Sequence, residues 1–87
     1  MARSRCEIVS DILETVKNEN DCKKTTIIRL ANLDWDMASK YLNDLDKDGF
    51  LESFEDESKG NEVFELSKKG KLLLKSLKKI RKICTIL

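Results

Sequence analysis

The chain has 87 residues, enough for one domain with one core, although a domain this small buries only about 60 to 65% of its unfolded-chain surface and gains from a second copy. Its 17 basic and 16 acidic residues nearly cancel, histidine and proline are absent, and the three cysteines, Cys6, Cys22 and Cys84, lack paired C-x-x-C spacing. The residues therefore argue against a zinc centre, and no Gly-rich phosphate loop or nucleophile elbow is present, so neither an enzyme nor a cofactor is expected.

No segment has the apolar length needed to cross a membrane, and the opening Met-Ala-Arg-Ser-Arg5 lacks the apolar stretch of a signal peptide. A cytoplasmic protein with reduced thiols and no membrane partner is the expectation.

Ser4 followed three residues later by Glu7 is a capping-box signature, and Ile8, Val9, Ile12, Leu13 and Val16 form one apolar stripe after it. This predicts a first helix from Arg5 to Asn18. The polar run Asn18 to Cys22 breaks the periodicity and reads as a loop. A shorter second helix opens near Thr25 and places Ile27, Ile28 and Ala31 on one side. Asn32 and Leu33 make the turn out of it, with Leu33 as a buried plug.

A third helix, about Asp34 to Lys47, carries Ala38, Tyr41, Leu42 and Leu45 at the i, i+3, i+4, i+7 spacing of a buried face. Asp34 is its N-cap and Gly49 its left-handed stop. Next, Phe50 to Phe54 and Val63 to Leu66 alternate apolar with polar residues around a turn-rich Glu55 to Asn61, the pattern of a hairpin. Ser67 then caps a final helix. Leu73, Leu77, Ile80, Cys84 and Leu87 fall at alternating steps of four and three along it, an a/d seam that fits a dimer interface, with one part of the helix packed on its own domain and the distal part on a second copy, or else a helix packed entirely within its own chain.

The order helix, helix, turn, helix, hairpin, helix is that of a winged helix-turn-helix. The predicted fold class is mainly α with a small β-hairpin (α+β): three helices, a two-stranded wing and a C-terminal amphipathic helix. Residues 1–66 would be the winged domain and 67–87 a basic helix that dimerises. Charge divides at nearly the same place, since residues 1–65 hold nine basic and 16 acidic side chains, whereas residues 66–87 hold eight basic and none acidic. Such a stripe attracts polyanions, or merely keeps a leucine-rich helix in water.

Several short runs reinforce this reading: Arg3-Ser-Arg5 with Ile8 to Leu13, Lys24-Thr25, Ala31-Asn-Leu33, Tyr41-Leu42, and Phe64-Glu-Leu-Ser-Lys-Lys-Gly70. In order and spacing, over nearly the whole chain, they resemble the small archaeal winged-helix regulators that include dimeric crenarchaeal chromatin-type DNA-binding proteins. The resemblance implies a homodimeric transcriptional regulator that binds double-stranded DNA and pairs through the C-terminal helix. Members of that group often carry basic or neutral residues where this chain has Asp34, Asp36, Asp44 and Asp46, and its wing is acidic at Glu55, Asp56 and Glu57. Acids near a phosphate backbone lower affinity, which favours a selective regulator or a weak binder over an abundant packaging protein.

On this reading the outward face of the third helix, with Trp35, Asp36, Ser39, Lys40 and Asn43, meets base edges; Asn suits adenine, Lys guanine and Asp the cytosine amine. Lys23, Lys24, Thr25, Thr26 and Arg29 suit phosphates, as do Lys59 in the wing and the N-terminal arm Arg3 and Arg5. Trp35 has a plainer alternative as a lid on the core beside Leu33.

Two competing functions share these residues. Asp44 to Glu55 fits the EF-hand pattern, with Asp44, Asp46, Asp48, Glu52 and Glu55 as calcium ligands and Gly49 at the bend, although no apolar helix follows and no second loop pairs with it. Alternatively, the acidic third helix and wing could make a protein-interaction adaptor of the same fold.

Overall fold

The computed structural model describes residues 4–56 and 61–86, and its element order is α1 (Arg5–Asn18), β1 (Cys22–Lys23), α2 (Lys24–Leu30), α3 (Trp35–Lys47), β2 (Leu51–Asp56), β3 (Asn61–Leu66) and α4 (Lys68–Ile86). Four helices surround a three-stranded antiparallel sheet of order β1-β3-β2. The expected two-stranded wing is β2 with β3, and the sheet gains a third strand beyond it because Cys22 and Lys23 pair with Phe64 and Val63. Both hairpin strands are also longer than their apolar alternation suggested, and their acidic ends remain paired out to Asp56 and Asn61.

The helix ends obey local chemistry. Ser4 accepts a hydrogen bond from the Glu7 amide at 3.2 Å, and Asp34 accepts one from the Met37 amide at 2.7 Å, caps that contribute about 1 kcal/mol each. α2 stops where Asn32 takes φ +56°, which lets the Leu33 amide reach back to the Ile28 carbonyl at 3.0 Å. α3 stops the same way, with Gly49 at φ +82° and the Phe50 amide donating to the Leu45 carbonyl at 2.9 Å. The first of these stops is the turn of the helix-turn-helix; the second aims the chain into the wing.

One core serves every element. Ile8, Ile12, Leu13 and Val16 of α1 meet Ile27 of α2, Ala38, Leu42 and Leu45 of α3, Leu51 and Phe64 of the sheet, and Leu74 and Leu77 of α4. Cys22 is 1% exposed, and burial pushes its thiol up to about 11, so it stays protonated and inert. The first half of α4 is therefore part of the winged domain. Leu77, assigned by spacing to a dimer seam, is 8% exposed within that core, and Leu73 packs against it. Heptad spacing identifies an apolar face and leaves open whether its partner is the same chain.

Polar contacts fix α4 on α1. Lys78 pairs with Glu14 at 2.8 Å, and Arg81 lies 3.6 Å from Asp11 and donates to the Ser10 hydroxyl at 3.4 Å. The Lys78 ammonium holds the Glu14 carboxyl below the usual carboxylate range.

α4 begins against the end of α3. Ser67 accepts from the Gly70 amide at 3.0 Å and donates to the Gly49 carbonyl at 2.5 Å, its own amide donates to the Phe50 carbonyl at 3.2 Å, and the Lys69 ammonium reaches the Asp48 carbonyl at 2.8 Å. A Cβ on Gly70 would sit 2.0 Å from the Phe50 oxygen, whereas one on Gly49 would meet nothing within 4 Å.

Two predictions follow from this packing. Gly70→Ala should cost about 1 to 3 kcal/mol in urea unfolding, because backbone must move, and Gly49→Ala about 1 to 2 kcal/mol from left-handed strain alone. An unaffected Gly70→Ala variant would mean that the α3–α4 junction is looser than described. In the sheet, Glu52 lies opposite Glu65 and Glu55 opposite Glu62, and like charges so placed repel. Glu65→Lys should therefore gain about 0.2 to 1 kcal/mol at low salt and lose that advantage as salt is added.

Candidate nucleic-acid interface

The outward side of α3 is set by what its inward side buries. With Ala38, Leu42 and Leu45 in the core, helical geometry turns Asp36, Lys40 and Asn43 to the opposite side, and all three are exposed. They form a stripe at i, i+4, i+7. These expected base-facing residues are brought together.

Trp35 and Ser39 lie on the flank of that stripe nearest the start of α2. Trp35 is 60% exposed and is not among the side chains of the core or packed against it, so it does not serve as a lid. The Lys24 ammonium sits 3.6 Å from the centroid of the indole and also donates to the Ser39 hydroxyl. Ser39 in turn donates to the Trp35 carbonyl at 2.9 Å. Lys24, expected from sequence to meet phosphate, is thus committed to holding Trp35 and Ser39, and Ser39 spends its donor within α3.

The remaining phosphate candidates are distributed around α2. Thr25 and Arg29 are exposed, Thr26 and Lys23 are half-buried, and Arg5 is exposed at the start of α1. Arg3 and Lys59 lie outside the described residues, as do Leu87 and the side chain of Cys84. Between α3 and β3 runs an open cleft of about 300 Å³, lined by Lys24, Ser39, Leu42, Asn43, Asp46, Glu62 and Phe64. Asp46, already read as an acid near the phosphates, and Glu62, which sequence reading did not place there, belong to this surface. Only strand register brings Glu62 to α3, so no local pattern signals it.

The calcium alternative fails on geometry. Asp44 and Asp46 are helical residues two apart, projecting in widely separated directions, and Glu52 and Glu55 fall on opposite faces of β2. An EF-hand needs these carboxylates around one loop. Asp46 instead accepts from the Ser53 hydroxyl at 3.3 Å, and among the described residues no group of three or more acidic or cysteine side chains is arranged to hold a metal ion. Among the described residues no helix is long and apolar enough to cross a membrane.

Known proteins share this arrangement. The DNA-binding protein Sso10a-2 of Sulfolobus solfataricus is 32% identical and superposes with a TM-score of 0.85 over 95% of this chain and 83% of its own. The transcriptional regulator PcaV of Streptomyces coelicolor matches with a TM-score of 0.83 at 17% identity, covering 91% of this chain and 60% of its own, a likeness that shows the fold alone. An uncharacterized protein of Methanocaldococcus jannaschii, MJ0287, is 41% identical over 75 residues, spanning 86% of this chain and 70% of the relative. A second protein of that organism, MJ0290, is 36% identical over 78 residues, and this chain spans 34% of its length. The winged helix-turn-helix family model matches residues 2–85, and the chain belongs to that family.

Proposed function

We propose that this protein is a transcriptional regulator that binds duplex DNA, reading it with the exposed stripe Asp36, Lys40 and Asn43 of α3. The single observation that carries the reading is this stripe, polar and unused by the core, on the third helix of a fold shared at 32% identity with a DNA-binding protein. Asn43 offers adenine a donor and an acceptor, Lys40 donates to guanine, and Asp36 accepts from the cytosine amine. Thr25, Thr26, Arg29, Lys23 and Arg5 serve the phosphates, joined by Arg3 and Lys59. The cytoplasm is where such a protein meets its DNA.

The acidic wing sets the character of the binding. Glu62 in the cleft beside α3, with Glu55 opposite it in the sheet, adds carboxylates next to the reading face, so phosphate attraction is partly opposed and affinity depends on matched bases. Selective recognition at modest affinity fits this better than general coating of DNA. No catalytic step is part of the proposal.

The distal part of α4 is proposed as the dimerisation element, on a seam shifted from the one spacing suggested. Leu73 and Leu77 face their own domain, whereas Leu72 and Ile80 remain exposed, Ile80 at 55%. A second copy is the natural cover for them.

Amide chemical-shift mapping with a mixed-sequence duplex at low salt tests the DNA reading. Shifts at Thr25 to Arg29 and at Asp36 to Asn43 are expected; shifts confined to α4 would refute the proposed reading face, and no shifts at all would favour a protein partner. Lys40→Ala with Asn43→Ala should flatten discrimination among duplexes while leaving thermal stability intact. In sedimentation, Ile80→Glu should convert dimers into folded monomers; a monomeric parent protein would dispose of the dimer.

A further inference from the structure

Trp35 is the only tryptophan of the chain, and the fold leaves it in water beside the reading stripe. At 60% exposed the large apolar ring adds little to a core in which Leu33 and Ala38 are buried and to which it does not belong. Nor is the ring loose. Lys24 is half-buried between α2 and α3, holds its ammonium over the indole at 3.6 Å and anchors itself on Ser39. One face of the indole is thereby covered and fixed, and the rest is presented to solvent beside Ser39.

The Lys24 contact engages a cation that would otherwise suit a phosphate. Such a use makes sense if the ring itself touches the ligand. In the major groove one base feature is apolar, the C5-methyl group of thymine. A sugar or phosphate contact would call for a polar or basic side chain at this place, and the neighbouring residues Asp36, Lys40 and Asn43 already serve the polar base edges.

We propose that Trp35 is a specificity-determining residue that reads the C5-methyl of a thymine, with Lys24 as the positioning residue that orients the ring. The proposal rests on the DNA-binding reading above and adds the base group recognised. A methyl removed from water against the indole is worth about fourfold in affinity. Because 5-methylcytosine presents the same methyl, cytosine methylation would create such a contact at sites that otherwise lack it.

The test uses the whole protein and a short mixed-sequence duplex made in two forms, one with thymine and one with deoxyuridine in its place, titrated at low salt. The parent protein should bind the thymine duplex about fourfold or more tighter, depending on how many methyls are met, with a change in emission from its single tryptophan. Trp35→Ala should bind both forms alike, which separates a direct contact from any effect of the methyl on groove shape. Trp35→Phe should retain the preference, and Lys24→Met should weaken it without lowering thermal stability by more than a surface change does. Equal binding of the two duplexes by the parent protein would overturn the methyl contact while leaving the DNA reading standing. Binding of neither duplex would overturn both.

Discussion

The close approach of the Phe50 carbonyl to Gly70 is the constraint on which the geometry of this domain depends. Only a residue without a side chain lets the start of α4 come against the chain leaving α3, where a Cβ would stand 2.0 Å from the Phe50 oxygen. Three neighbouring carbonyls, of Asp48, Gly49 and Phe50, find donors at that junction in Lys69 and Ser67. The end of the reading helix is thus tied to the helix that packs on α1. The wing departs from the same point, so α3, sheet and α4 are oriented together by one contact and a left-handed glycine at 49.

Much of this was legible because the deciding interactions are local. Ser4, Asp34 and Ser67 announce helix starts through side chains that reach amides three residues on, and Asn32 and Gly49 announce stops through a backbone conformation most residues resist. The interior positions Ala38, Leu42 and Leu45 follow from spacing, and with them the outward stripe Asp36, Lys40 and Asn43. What was not legible depends on distant residues. The two-residue β1 has no period of its own and exists because Phe64 lies alongside Cys22. Leu77 belongs to a regular seam whose partner proved to be the chain's own core, and the pairing of Lys24 with Trp35 crosses the turn between two helices.

Charge runs against the simplest account of a polyanion binder. The eight basic residues of the last helix lie away from the reading stripe along the chain, and some are occupied with α1, as Lys78 is with Glu14. The wing meanwhile sets glutamate opposite glutamate in two cross-strand pairs, an arrangement that costs stability. A fold that tolerates such repulsion at a prospective phosphate surface has little capacity for indiscriminate attraction. On the proposed DNA reading, discrimination would come from short-range contacts at the base edges.

That consequence bears on how a small domain obtains specificity. Long-range attraction raises affinity for every sequence equally, so a strongly basic reading face would hold matched and unmatched DNA alike. Weakening it with the acidic wing leaves a larger share of the binding energy in contacts that vary with sequence. The Lys24, Trp35 and Ser39 group carries this logic to the level of single side chains. On the proposed reading, a lysine that would otherwise contribute a nonspecific phosphate contact instead holds an aromatic ring, exchanging charge attraction for a surface whose value depends on the base it meets.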